Sequence, residues 1–251
     1  LTDSDCFSKL LCGQQFVEGS EIDDILSHLS TSINHVISEI LDLPNTTDEK
    51  LSLYGPYLGR SLLELSATAL IARLDPFKII LIKGKQETSE YDLGKPHSTA
   101  IRWQGDIVDV AVPDLWAEKS LKNPTRALLG AYQIELVLKD SAQKIVDEAD
   151  EQSLGTWYSE LTKTDTKGLF STLRGKITAL FSSFSKGVHH ELLIPNQSVL
   201  DRDTVYSLIN DAFFVVATLG LLLSRVPHAY QKSSIADCDI CYKNAKELEL
   251  G

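Results

Sequence analysis

The stretch SEIDDILSHLSTSINHVISEIL, Ser20 to Leu41, decides the fold class. Its apolar residues are Ile22, Ile25, Leu26, Leu29, Ile33, Val36, Ile37, Ile40 and Leu41. They recur at three- and four-residue intervals, which draws one stripe along an α-helix and excludes the strict alternation of a strand. Ser20 stands where an N-cap belongs, and Glu21, Asp23 and Asp24 suit the positive end of the helix dipole. Pro44 follows the end of the pattern.

The same period continues on the C-terminal side. Leu58, Leu62, Leu65 and Ala69 predict a second helix over Tyr57–Leu74, stopped by Asp75-Pro76. That dipeptide can also start the next helix, with Asp75 as cap and Pro76 at the first helical position. The run Phe77–Ile82 reads equally well as a short strand, because six residues do not separate the two periods. Residues 84–123 hold Gly84, Gly94, Pro96, Gly105 and Pro113 and read as irregular, with Ile101–Val108 as a short strand or helix fragment. Asn123-Pro124 then opens a long helix reaching Ala149, with Leu128, Ile134, Leu138, Ala142 and Ile145 on its apolar side. Three more helices are predicted over Asp165–Lys186, Asp201–Val226 and Ala236–Leu248. The most apolar segment, Ala212–Leu223, is shorter than the roughly 18–20 residues that span a bilayer. It reads as a core helix with Phe213, Val216, Leu219 and Leu223 buried. The pattern predicts an all-α fold: a multi-helix bundle with a small irregular insertion around 77–112 that has room for short strands. One domain over 1–251 is expected, with a soft division at 84–123.

Composition narrows the function classes. The chain has 251 residues, 43% of them hydrophobic, which is ample for a core. Its formal charge of −11 repels phosphate backbones at long range, so nucleic-acid binding needs a local basic patch. Lys163, Lys167, Arg174, Lys176 and Lys186 form the one candidate, and a solvated helix face accounts for them more simply. The absence of Met and the start at Leu1 read as a fragment or processed product. The acidic start, Leu1–Asp5, is unlike the basic beginning of a secretory leader. The expected setting is cytoplasmic, with no membrane partner.

Four groups of residues carry chemistry. Cys6, Cys12, Cys238 and Cys241 fall in two pairs at opposite ends of the chain. Cys238 and Cys241 have the two-residue gap common in zinc and redox motifs, and four thiolates could close a structural zinc site if the ends of the chain meet. Small buried core residues are the simpler account, so no cofactor or metal is expected. His28, His35 and Glu39 share one side of the Ser20–Leu41 helix, most simply a solvated one. Phe184–Glu191 gathers Ser185, Lys186, His189, His190 and Glu191, in which a histidine beside a cation could act as a general base. A helix end explains the same residues: Lys186 and the histidines complement the dipole, and Gly187 is the stop. Arg225-Val226-Pro227-His228 is a second such end. No phosphate-binding glycine loop, HExxH or GxSxG occurs.

The segment Ser185–His190 ahead of the last long apolar helix resembles bacterial HEPN-type and abortive-infection helical proteins. The ribonucleases of that family set four to six residues between an Arg and a His. Here two residues separate Lys186 from His189, and two separate Arg225 from His228. The resemblance therefore implies a non-catalytic interaction or regulatory subunit of a larger assembly, of the kind found in bacterial defence complexes. A protein partner or homo-oligomer is expected. The alternative it implies is a HEPN-like ribonuclease or nucleic-acid binder using the Lys163–His190 region, with Lys186, His189, His190 and Glu191 as the catalytic candidates.

Overall fold

The computed structural model describes residues 2–14, 16–89, 91, 137–188 and 200–251. Among these, every regular element is helical, as the periodicity requires. The helices are α1 (Asp3–Cys12), α2 (Glu21–Asp42), α3 (Asp48–Leu74), α4 (Pro76–Gln86), α5 (Lys139–Glu148), α6 (Glu151–Leu154), α7 (Tyr158–Thr162), α8 (Thr166–Val188), α9 (Arg202–Ser224) and α10 (Ile235–Ala245). Short 3-10 turns follow α2 (Leu43–Asn45) and α10 (Lys246–Leu248). The arrangement is a bundle in which α3 is flanked by α2, α8 and α9, while α1 lies across α2, α9 and α10.

Caps explain most of the helix starts. The Thr2 hydroxyl accepts from the Asp5 N–H while Asp5 accepts from the Thr2 N–H, a reciprocal box that opens α1. These bonds hold the Asp5 carboxyl below its ordinary range. The Asp201 and Ser234 side chains cap α9 and α10 by accepting from the Thr204 and Asp237 N–H groups. Asp75 both ends α3 and caps α4, accepting from the Lys78 N–H at 3.1 Å, with Pro76 in the first turn.

Several boundaries differ from the sequence reading. α3 starts at Asp48, nine residues before the predicted Tyr57, and carries Pro56 inside it. A glycine-proline pair normally argues against a helix interior. Here packing overrides it, because Gly55 and Gly59 are the points where α3 meets its neighbours most closely. A Cβ at Gly55 would sit 2.4 Å from a Val205 methyl of α9, and one at Gly59 would sit 2.4 Å from the Phe184 ring of α8. The run Phe77–Ile82 belongs to α4, so residues 77–86 are helical and not part of an irregular insertion. The remainder of the predicted 77–112 insertion, the Ile101–Val108 segment, most of the 84–123 division and the helix before residue 137 lie outside the described residues. α8 runs through Gly187 to Val188, so Gly187 does not end it.

The glycine crossing gives a sign prediction. Gly59→Ala should destabilise the protein by about 1–3 kcal/mol, since Phe184 is fully buried and cannot swing aside. Gly175→Ala is its counterpart. Nothing lies within 4 Å of a Cβ at that helical position, so the better helix former should stabilise by up to about 1 kcal/mol. Chemical denaturation of the two variants checks this, and two shifts of the same sign would refute it.

The core centres on α9. Phe213, Val216, Leu219 and Leu223 are fully buried, as the apolar run predicts. By length and composition α9 could cross a membrane, but 78% of its most apolar window is buried inside this bundle. Phe7 of α1 meets Phe213 edge-on at 5.4 Å, which seats α1 on the core helix.

A polar knot ties the bundle together at one end. Arg73, in the last turn of α3, is 1% exposed. Its guanidinium donates to the Leu10 and Leu11 carbonyls at 2.9 and 3.2 Å and to the Tyr230 carbonyl at 3.0 Å. The first two are among the last carbonyls of α1, which have no partner within their own helix. Tyr230 returns a backbone N–H to the Arg73 carbonyl at 2.8 Å. Next to it, buried Asp23 accepts from Gln231 (2.7 Å), the Tyr230 hydroxyl (3.2 Å) and the Val17 N–H (3.1 Å). Burial alone would raise the Asp23 carboxyl, but these bonds, with Ser20, outweigh it and lower it. Gln231 is held at φ +51°, against Gly13 at φ +83°. The Gln231 carbonyl leaves no room there for any side chain at position 13.

Candidate functional site

The basic residues of α8 do not share a side of the helix. At about 100° per residue, Lys167 and Arg174 fall together, Lys176 falls opposite them, and Lys186 lies a quarter-turn away. Lys176 turns inward to Asp211 of α9 at 2.5 Å, with its ammonium 5.8 Å from the Phe214 ring centre. Lys163 precedes the helix and faces Glu160 at 3.8 Å. Lys167 and Lys186 are exposed. The five charges are thus spread around the element.

Of the segment Phe184–Glu191, Phe184 is a core residue against Gly59 and Ser185 accepts from Arg60 at 3.2 Å. The Arg60 guanidinium also lies 5.1 Å from the Phe181 ring centre. His189, His190 and Glu191 lie outside the described residues. The second basic helix end is a buried ion pair. Arg225, with a side chain 1% exposed, meets Asp239 of α10 at 2.6 Å and so links two helices. His28, His35 and Glu39 are exposed on α2. His28 also lines an apolar groove between α2 and α4, with Ile25, Leu29, Ile79 and Ile82.

The two helices that carry the cysteines do meet, but no three of the four thiols converge among the described residues. α1 packs along α10, which sets Cys6 near enough to Cys241 that its thiol, after burial, helps push the Cys241 thiol up. Cys12 and Cys238 both lie close enough to Arg73 to feel its charge. Burial pushes the Cys12 thiol up to about 12 and raises those of Cys238 and Cys241, so these three are protonated at neutral pH. Metal binding needs thiolates, and no three His, Cys, Asp or Glu side chains converge for a metal among the described residues.

Sequence reasoning missed a cleft of about 560 Å³ at the opposite end of α9 from the Arg225 pair. Asp203, Ser207, Asn210, Asp211 and Phe214 form its α9 wall, and their three- and four-residue spacing was readable as a polar stripe on an otherwise apolar helix. Trp157 forms the floor, edge-on to Phe214 at 5.4 Å and to Tyr242 at 5.5 Å, with its N–H donating to Glu249 at 3.2 Å. The Asn210 amide clasps the Leu250 backbone from both sides at 2.8 Å, fixing the last turn against the wall. Lys176 and Lys246 are each paired to a carboxylate, Asp211 and Glu249. These groups pair with each other as charges and hydrogen bonds. Family models, curated proteins and solved structures offer no match to this chain.

Proposed function

We infer that the chain is a non-catalytic helical subunit that binds a partner protein. The observation that carries this reading is the outer side of α3. Leu53, Tyr54 and Tyr57 are 45%, 52% and 60% exposed and lie within about a third of a turn of one another around the helix. Single exposed apolar residues are ordinary, but two tyrosines share this patch, and tyrosine is a residue type that concentrates binding energy at interfaces. The patch stands on a helix whose opposite sides are fixed by α2, α8 and α9, so it is presented rigidly. The ion-paired charges of the α9 cleft agree with a binding role. The class of partner is the one the sequence resemblance implies, an effector of a bacterial defence complex.

The test is native mass spectrometry of the protein isolated gently from its own cells, beside a Tyr54→Glu, Tyr57→Glu variant. The expected result is a defined complex for the parent and a lone chain for the variant, with stability within about 0.5 kcal/mol of the parent because the patch is on the surface. A parent that is always a lone chain, or a variant that keeps its partner, would refute the reading. Cleavage of single-stranded RNA by the parent, lost on His189→Ala, His190→Ala substitution, would replace it with the ribonuclease alternative.

A further inference from the structure

We propose that Cys6 and Cys241 form a two-electron oxidation site, at which a hydroperoxide converts the two thiols to a disulfide that ties α1 to α10. The register of the two helices carries the proposal. They run antiparallel, with Lys9 paired to Asp237 at 3.2 Å and Gly13 against Gln231. Three residues back from Lys9 is Cys6, and four residues on from Asp237 is Cys241. Steps of three and four keep to one side of a helix, so the register that pairs Lys9 with Asp237 also sets the two sulfurs face to face. After burial, the neighbouring Cys6 thiol helps push the Cys241 thiol up, in keeping with that register.

The other two cysteines are excluded by the same geometry. Cys12 lies six residues from Cys6, about 9 Å along α1, beyond the reach of Cys241. Cys238 follows Asp237 by one residue, about 100° around α10 from it, and with Cys12 lies in the field of the Arg73 guanidinium, which is fixed to three carbonyls. Four cysteines allow several connectivities, and the structure selects one.

The chemistry balances without further reagents. The Cys6 sulfur attacks one peroxide oxygen, the O–O bond breaks, and the departing oxygen takes up the Cys6 proton, leaving a sulfenic acid and water or an alcohol. The Cys241 sulfur then attacks the Cys6 sulfur, the S–O bond breaks, and hydroxide leaves with the Cys241 proton as water. The two sulfurs lose two electrons, which the peroxide accepts. Cys6 is the first to react because it is the more exposed of the two, at 6% against 2%. Burial keeps the Cys241 thiol protonated, so the pair stays reduced until an oxidant has reached Cys6.

The experiment treats the whole chain with hydrogen peroxide, unfolds it, counts free thiols and maps linked peptides by mass spectrometry. The expected result is a fall from four free thiols to two, with a single Cys6–Cys241 link. The link closes nearly the whole chain into a loop, so the oxidised protein should melt roughly 5–10 °C higher, and reductant should reverse the shift. Cys6→Ser and Cys241→Ser should each abolish link and shift, and Cys12→Ser should keep both. Four thiols surviving while a free-cysteine control is oxidised would overturn the proposal. So would a Cys238–Cys241 or Cys12–Cys238 link, or a crosslink between two chains. The linked-peptide map is read on the parent protein and does not depend on any variant folding.

Discussion

Arg73→Met should destabilise the protein by about 3–5 kcal/mol in equilibrium denaturation. Methionine fills much of the same volume and is apolar, so the loss is not a cavity. It lies in three carbonyl groups, of Leu10, Leu11 and Tyr230, that lose their donor in a site closed to water. Each buried acceptor left without a partner costs about 1–3 kcal/mol. Removing a buried positive charge returns part of that sum, because the guanidinium no longer has to be held away from solvent. The carbonyls outnumber it, and two of them carry the negative end of the α1 dipole. Arg73→Lys should restore little, since an ammonium lacks the planar fork that reaches three acceptors in different directions. A variant within about 0.5 kcal/mol of the parent would show that water replaces the guanidinium at this end of the bundle.

Leu219→Ala is expected to cost a similar 3–5 kcal/mol, the upper part of the range for buried leucine. The range depends on how far the surroundings collapse into the space. Here they are fixed. At the next residue, a Cβ on Gly220 would sit 2.9 Å from the Leu10 side chain, so α1 already touches the α9 backbone. Arg73 holds that end of α1, and the preceding Thr218 is hydrogen-bonded to Tyr242 of α10 at 3.2 Å. With both neighbours held, the cavity should persist, stay dry and take up a small apolar probe such as benzene. Stability measured with and without benzene checks the point. An unchanged melting temperature would mean that α9 is not the centre of the core.

The fold class was legible because its signal is redundant. Nine apolar residues between Ile22 and Leu41 agree on one period, and no single substitution would hide it. The boundaries that failed did so at residues whose local meaning is reversed by packing. Gly55-Pro56 reads as a break, yet Gly55 and Gly59 are small because Val205 and Phe184 need the space, and those partners lie far away in sequence. Phe77–Ile82 was undecided by pattern and is settled by Asp75, whose carboxylate caps the helix. α1 was overlooked although Cys6, Phe7, Leu10 and Leu11 carry the helical period and Thr2 with Asp5 marks its start. The meeting of the cysteines was not legible at all. It follows from the docking of α1 on α10, and no local pattern encodes that. Conversely, the α9 cleft was written in its polar stripe, which the search for a core helix passed over.

The α1–α10 contact also bears on how the chain is made. Lys9 and its partner Asp237 stand 228 positions apart. A ribosome adding roughly 5–20 residues per second takes on the order of 10–50 s to cross that distance. Through this interval Phe7, Leu10 and Leu11 have α2 and α3 to lean on, but neither α9 nor α10. The nascent protein therefore carries an unfinished apolar helix through this interval, and a chaperone that holds such segments should act on it until α10 emerges.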